Sequence, residues 1–264
     1  MDQKRFENAN RLWAEGHIEQ AAGEFHTMAE TADCPDEKIG AFLNEHKCLL
    51  QISHLDEANE VMRQIRALRI QDEFIRMLVD VADSFMTTQM GRLKDGVEKF
   101  EALLESNKEQ LRSPENQGLY EEIQQKRGVS LTNLCRYGEA IPILEEAASF
   151  TTDKFEPQLV HFFLAVCYQG NSEPERAKQE FLRVISLGLN NDFEADAHYR
   201  LAILYYRSGA LAQAKYHLEA ALQMPEQALS DRLRKNIYQQ MSYVCHFLKE
   251  FDEEKKYTKL AQAS

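Results

Sequence analysis

Residues 195–225 read ADAHYRLAILYYRSGALAQAKYHLEAALQMP, and this stretch decides the fold. It carries two apolar patterns of helical period, separated by a polar break at residues 207–209 that predicts a turn. Ala202 in the first pattern and Ala214 in the second stand where the two helices would touch. Small residues at facing positions let helices approach closely, while larger apolar side chains fill the grooves beside them. The stretch therefore predicts a helical hairpin.

The same pattern occurs seven times along the chain. One position of the second helix, usually a small residue, marks each unit, and its spacings are 37, 38, 44, 37, 37 and 40 residues. The marker residues are Ala21, Ala58, Gly96, Ala140, Ala177, Ala214 and, in a degenerate last unit, Glu254. Mostly apolar side chains recur four and seven positions after the marker, which keeps them on one helical face. Self-similarity at a nearly fixed period indicates a repeat array.

This repeat resembles the tetratricopeptide repeat, and the resemblance covers essentially the whole chain. It implies an all-α fold, an α-solenoid in which about seven helix-turn-helix repeats form a right-handed superhelix. We predict a single domain over residues 1–264, with a candidate hinge in the longer connection at 105–118. The predicted units are approximately 4–33, 37–71, 73–112, 114–152, 156–188, 192–225 and 230–264.

Composition and charge narrow the function classes. The net charge of −12 disfavours non-specific binding to nucleic acids or anionic membranes, which requires clusters of Lys and Arg. No apolar run is long enough to cross a bilayer, and the N-terminus shows no secretory signal. The five cysteines are scattered and odd in number, which is typical of reduced thiols. We therefore expect a cytoplasmic protein.

No motif of catalysis or metal binding is found in the sequence. HExxH, CxxC, a Gly-rich phosphate loop and GxSxG are all missing. The eight histidines do not have the spacing of metal ligands. His161 and Cys167 share a predicted helix but lie on different faces of it. We therefore predict a non-enzymatic protein that uses no metal and no other cofactor.

The resemblance implies that the first helix of each repeat lines a concave groove and that the second forms the convex back. The predicted partner-binding residues on the first helices are Phe6, Asn10, Trp13, Leu43, Lys47, Leu50, Phe85, Gln125, Phe162, Gln169, Tyr199, Tyr206 and Tyr243. The remaining groove positions are Val81, Thr88, Val129, Thr132, Val166, Ile203, Gln239 and His246. Most of these positions are apolar or aromatic, and only Lys47 carries a full charge, which indicates a surface built to be covered.

A carboxylate clamp, the variant of this family that binds acidic chaperone tails, is not expected. Asn10 and Asn44 match that motif, but Phe6, Leu78 and Ala82 stand where it requires cations. A carboxylate bound there would be desolvated without a partner.

These patterns predict a scaffold or adaptor that binds a partner protein or peptide in its groove. The partner segment would be apolar or amphipathic, either helical or extended, and the acidic chain would favour a basic one. One alternative is a structural subunit whose groove or ends are buried by self-association. Another is a peptide-sensing regulator, although no residues remain for a separate effector domain. The groove residues also have a purely structural explanation, which is packing between adjacent first helices.

Overall fold

The structure is a computed structural model that describes residues 3–150 and 157–263. In these two ranges the chain forms fifteen α-helices, two short 3-10 helices and no strand, so the prediction of an all-α fold is confirmed. The α-helices are α1 (Gln3–Ala14), α2 (Ile18–Thr31), α3 (Pro35–Gln51), α4 (Leu55–Ala67), α5 (Glu73–Gln89), α6 (Leu93–Ser106), α7 (Lys108–Leu111), α8 (Gln117–Asn133), α9 (Tyr137–Ala147), α10 (Pro157–Gly170), α11 (Pro174–Ser186), α12 (Asp192–Arg207), α13 (Leu211–Leu222), α14 (Asp231–Leu248) and α15 (Phe251–Ala263). The 3-10 helices are Pro114–Asn116 and Glu226–Ala228. None of the helices in the described ranges has the length and apolar character that a membrane crossing requires.

Most consecutive helices pack as hairpins, and neighbouring hairpins pack on each other within each half of the chain. The paired helices are α1 with α2, α3 with α4, α5 with α6, α10 with α11, α12 with α13, and α14 with α15. The second helix of one pair then contacts the first helix of the following pair, as α2 contacts α3 and α13 contacts α14. This packing between neighbours is what a repeat array predicts.

The chain divides into two compact units, Met1–Leu134 and Cys135–Ser264. The first unit contains α1 to α8, and the second contains α9 to α15. The connection at 105–118 lies inside the first unit, where it forms α7 and a 3-10 helix. A hinge at this connection and a single domain over the whole chain stay predictions.

Alanines at the marker positions, and at the facing position twelve residues before each marker, are buried. The fully or almost fully buried ones are Ala9, Ala21, Ala58, Ala140, Ala165, Ala177, Ala202 and Ala214. His46 takes the place of a small residue in the second repeat, and its ring is only 1% exposed. Its Nδ1 lies 3.1 Å from the carbonyl oxygen of Ala58, and burial lowers the pKa of the ring. The second hairpin therefore accommodates a neutral imidazole where the first hairpin has the methyl group of Ala9 and the third has Ser84.

A residue with left-handed backbone follows the first helix of every repeat. These residues, with φ between 59° and 83°, are Gly16, Ser53, Gly91, Cys135, Ser172, Gly209 and Lys249. Their spacings equal those of the marker positions, and Gly209 confirms the turn predicted at 207–209. A left-handed residue at this place ends a helix and turns the chain back. Only three of the seven are glycines, so glycine content alone does not reveal the motif.

In four hairpins a side chain of the first helix directly contacts a side chain of the second helix, 19 residues later in the chain. These pairs are Arg5 with Glu24 (Nε to Oε2, 3.2 Å), His161 with Glu180 (Nδ1 to Oε2, 2.8 Å), His198 with His217 (Nδ1 to Nδ1, 3.0 Å) and Tyr238 with Tyr257 (ring centres 6.2 Å apart). These four hairpins therefore share the place of the contact, whereas the residues that make the contact differ in charge and polarity.

Candidate partner-binding site

A pocket of about 950 Å³ lies along the first helices of the second unit. It is bounded by α10, α12, the 3-10 helix Glu226–Ala228 and the first turn of α14. Phe162 and Tyr199, two of the predicted groove residues, line it. Burial raises the pKa of Tyr199, and the nearby Asp196 adds to the effect. Its phenol is therefore neutral at physiological pH.

Arg200 is fixed in this pocket by contacts on three sides. Its Nε donates to Asp196 Oδ2 at 2.9 Å, and its Nη1 lies 3.5 Å from Gln169 Oε1. The guanidinium carbon is 5.6 Å from the centre of the Phe162 ring. A guanidinium held by a carboxylate, an amide and an aromatic ring is preorganised for recognition of polar groups.

Sequence reasoning missed Arg200 and Asp196. Both lie beside positions assigned to the groove, and a helix of 3.6 residues per turn exposes neighbouring positions to the same pocket. A search for i,i+4 pairs of opposite charge on the first helices would have found this ion pair.

The wall formed by α14 combines both signs of charge. Arg232 and Arg234 line the pocket, and neither has an ion-pair partner within the part of the chain that the structure describes. Asp231 lines the same wall, and Glu226 of the preceding 3-10 helix lines the pocket beside it. Ser230 caps α14, since its Oγ accepts from the backbone N–H of Leu233 at 3.2 Å. The wall therefore offers donors and acceptors for a polar ligand.

An aromatic strip made of Tyr206, Tyr243 and Phe247 follows the pocket toward the C-terminal ends of α12 and α14. The rings of Tyr206 and Phe247 meet edge to face, 5.9 Å apart. Tyr243 and Phe247 are 55% and 59% exposed, which is unusual for side chains of this size. Tyr206 and Tyr243 belong to the predicted groove, whereas Phe247 was missed because it follows the assigned position, His246.

In the first unit, the predicted groove residues form a face with little net charge. Trp13 Nε1 donates to Gln51 Oε1 at 2.8 Å, which joins α1 to α3. Lys47 Nζ lies 5.7 Å from the centre of a Trp13 ring and 3.8 Å from Glu122 Oε2. The only charged residue of the predicted groove is thus neutralised by a carboxylate that the sequence analysis did not include.

The predicted residues differ widely in exposure. Asn10, Lys47 and Tyr243 are exposed, whereas Gln125 and Phe162 are buried. The intermediate ones are Phe6, Trp13, Leu43, Leu50, Phe85, Gln169, Tyr199 and Tyr206. Phe6, Trp13 and Phe85 also contact core rings edge to face, at 5.7 to 6.2 Å between centres. Several of these residues therefore contribute to packing as well as to the face of the first helices.

One cluster has the composition of a metal site. Cys245, Glu250 and Glu253 bring a sulfur and two carboxylate oxygens within 4.8 Å of one another. Lys215 Nζ lies 2.5 Å from Glu250 and 3.0 Å from Glu253, so an ammonium group already neutralises the carboxylates. Burial raises the pKa of the Cys245 thiol to about 12. The cluster is therefore an ion-pair network that joins α13 to α15.

The fold recurs among solved proteins whose sequences have little identity with this chain. No protein-family model and no curated sequence matches the chain. The apo form of the quorum sensor NprR from B. thuringiensis is similar over 98% of this chain and 74% of its own, with a TM-score of 0.79 and 16% identity. Apo RapI is similar over 98% and 75%, with a TM-score of 0.74 and 15% identity.

A tetratricopeptide repeat protein from Parabacteroides merdae is similar over 99% of this chain and 92% of its own, with a TM-score of 0.58 and 14% identity. The chain has the tetratricopeptide-repeat fold. This result confirms the fold inferred from the marker residues.

Proposed function

We propose that this chain is a non-catalytic scaffold or adaptor that binds a segment of a partner protein along its first helices. The observation that supports this proposal best is the pocket around Arg200, which is lined by Phe162 and Tyr199 of the predicted groove and by α14, the helix that also carries the exposed Tyr243 and Phe247. A polar pocket with a few convergent charged groups beside aromatic rings is typical of a ligand site. Aromatic anchors contribute much of the affinity at protein interfaces.

The dimensions of the site limit the partner segment. Along α14, 13 residues separate Arg234 in the pocket from Phe247 in the aromatic strip, which corresponds to about 20 Å. An extended chain covers this length with about six residues, and a helix with about four turns. We propose an amphipathic segment whose polar end contacts Arg200 and whose apolar end covers Tyr243 and Phe247.

The solved proteins of this fold support a binding role without identifying the ligand. NprR is described as a quorum sensor, and this description applies to that protein alone. For this chain we propose a cytoplasmic role, because its cysteines are free thiols, as is usual in a reducing compartment. Cys48, Cys167 and Cys245 are buried, where a free thiol behaves as a small core side chain.

A second candidate function is that of a structural subunit. The exposure of Tyr243, Phe247 and Phe251 favours it, because two such strips from different copies could cover each other. Light scattering distinguishes the two functions. A mass that stays at 30.6 kDa as the concentration rises excludes the structural subunit, whereas a concentration-dependent dimer supports it.

A crosslinking pull-down from the native source, followed by mass spectrometry, tests the adaptor function. We expect Tyr206→Ala and Tyr243→Ala to reduce recovery of the partner at least tenfold, because each removes an aromatic anchor. Tyr216→Ala is the matched control, since Tyr216 is 64% exposed but lies on a second helix, α13. Equal recovery with all three variants, each folded by circular dichroism, would exclude binding on the first helices.

A further inference from the structure

The longest connection of the array forms a second pocket, away from the partner-binding site. The spacing between marker residues rises to 44 where α7 and the 3-10 helix Pro114–Asn116 are inserted. Together with α6 and α8, this inserted segment encloses a pocket of about 360 Å³ within the first unit. Its volume lies within the range of sites for small molecules.

Cations outnumber carboxylates in the lining of this pocket. Lys108, Arg112 and Arg127 supply three positive charges, and Glu101 and Glu105 supply two negative ones. This local excess occurs in a chain whose net charge is −12. A small region of opposite sign in an acidic protein attracts anions that the rest of the surface repels.

Not all N–H groups of the Arg127 guanidinium have a hydrogen-bond acceptor in the described part of the chain. Its Nη2 lies 3.2 Å from Glu101 Oε1, so one edge of the guanidinium is paired. Its Nε is buried and has no hydrogen-bond partner among the residues that the structure describes. A buried donor without an acceptor is destabilising. The exposed part of the Arg127 side chain lines the pocket, and among the described residues its charge is paired with Glu101 alone.

Tyr120 holds Arg112 at the same pocket. The Tyr120 hydroxyl accepts from Gln124 Nε2 at 2.9 Å and from Arg112 Nη2 at 3.4 Å. The Arg112 guanidinium carbon also lies 5.5 Å from the centre of the Tyr120 ring. Two guanidinium groups, one paired with a carboxylate and one stacked on a ring, thus line the same small volume.

We infer that this pocket binds a small anion through phosphate or carboxylate oxygens, which Arg112, Arg127 and Lys108 contact. Planar guanidinium groups match the geometry of such oxygens and form strong charge-assisted hydrogen bonds with them. Glu105 opposes binding, because its carboxylate lies on the same wall without an ion-pair partner among the described residues. The site is independent of the proposed adaptor function, since none of these residues belongs to the partner-binding face.

Isothermal titration calorimetry on the full chain, at constant ionic strength in chloride buffer, tests this inference. Inorganic phosphate and malonate are the two probes, because they separate phosphate from carboxylate recognition. We expect saturable binding of at least one, a loss of tenfold or more in affinity for Arg112→Gln and Arg127→Gln, and severalfold tighter binding for Glu105→Gln. If Arg127→Gln does not fold, Lys108→Gln, at an exposed position, replaces it.

Arg69→Gln is the matched control, because Arg69 is an exposed arginine of the same unit outside the pocket. Its affinity should equal that of the parent protein. The inference fails if neither probe binds, if Arg69→Gln weakens binding as much as Arg112→Gln does, or if Glu105→Gln weakens it. The last outcome would instead indicate a site for a cation.

Discussion

At the scale of single residues, the buried pair His198–His217 makes stability sensitive to acid. The two Nδ1 atoms are 3.0 Å apart, and both residues are 7% exposed. Burial and the charge of His198 lower the pKa of His217 to about 4, and burial lowers that of His198. The Tyr205 ring stacks on His217 and the Tyr216 ring contacts it, while Glu194 is the carboxylate that acts on His198.

The sign of the effect follows from proton binding. The unfolded chain binds a proton on His217 below about pH 6.5, whereas the folded chain does so only near pH 4. The contribution of His217 to the free energy of unfolding is therefore fully present above pH 6.5. It is lost as the pH is lowered toward 4, which reduces the free energy of unfolding by about 3 kcal/mol. We expect His217→Gln to flatten this part of the curve of unfolding free energy against pH. Urea unfolding at several pH values measures it.

His17→Gln provides the reference for this experiment. His17 is exposed in the turn between α1 and α2, so this variant removes an imidazole that lies outside the buried pair. Equal slopes for His217→Gln and the parent between pH 6.5 and 4.5 would show that the pair does not set the acid sensitivity.

Single residues also show which features of the fold and of the candidate site could be predicted from the sequence and which could not. The marker alanines were predictable, because close helix packing requires small side chains at a fixed period. The position of the Arg200 guanidinium was not, because it depends on Gln169 and Phe162, which lie 31 and 38 residues earlier in the chain. The exposure of Phe247 depends likewise on how α14 is rotated against α12, which periodicity fixes only to within a residue.

At the scale of helices, Gly96 is an exception to the rule that replacing a glycine inside a helix by alanine stabilises the helix. Glycine inside a helix normally costs about 1 kcal/mol relative to alanine. An added Cβ at Gly96 would lie 2.3 Å from Thr88 Cγ2, on the facing helix α5. We therefore expect Gly96→Ala to destabilise the chain by about 1 to 3 kcal/mol in chemical denaturation.

Gly23→Ala is the control for this clash. Gly23 lies in α2, and an added Cβ there would meet no atom within 4 Å. Its replacement should stabilise the chain by about 0.5 to 1 kcal/mol. The close approach of α5 and α6 would be refuted if both replacements were stabilising.

The left-handed turn residues are a second feature at this scale. Ser53 and Lys249 adopt φ values of 61° and 63°, which strain any residue that carries a Cβ. We expect Ser53→Gly and Lys249→Gly each to stabilise the chain by about 1 kcal/mol, despite the greater freedom of glycine in the unfolded state. Thermal unfolding by circular dichroism measures the change.

Ala148→Gly is the matched control, since Ala148 also follows a helix but has φ of −66°. It should destabilise the chain, because no strain is relieved there. If Ala148→Gly also stabilised the chain, relief of backbone strain would not explain the effects of Ser53→Gly and Lys249→Gly.

At the scale of the whole molecule, the packing between neighbours predicts local responses to mutation. Ala202→Leu would overpack the contact between α12 and α13, where Ala202 is 1% exposed. In a repeat array such overpacking destabilises mainly the mutated repeat and the adjacent ones, because each repeat packs only on its neighbours. We expect faster amide hydrogen exchange in α10 to α15 and unchanged exchange in α1 to α4, measured by mass spectrometry.

Ala58→Leu is the reciprocal variant, because Ala58 is fully buried in the first unit. It should accelerate exchange in α1 to α6 and leave α12 to α15 unchanged. Uniform acceleration by either variant would show that the chain unfolds as a single cooperative block.

The variable contacts between side chains 19 residues apart bear on how a chain built from similar pieces avoids joining them wrongly. Arg5 faces Glu24, His198 faces His217, and Tyr238 faces Tyr257. A helix that docked on the wrong partner would set a cation against a phenol, or bury a carboxylate beside a ring. Such mismatches raise the energy of shuffled topologies. Chimaeras made by exchanging α2 with α15 should therefore refold more slowly, unless the opposing residue is exchanged with them.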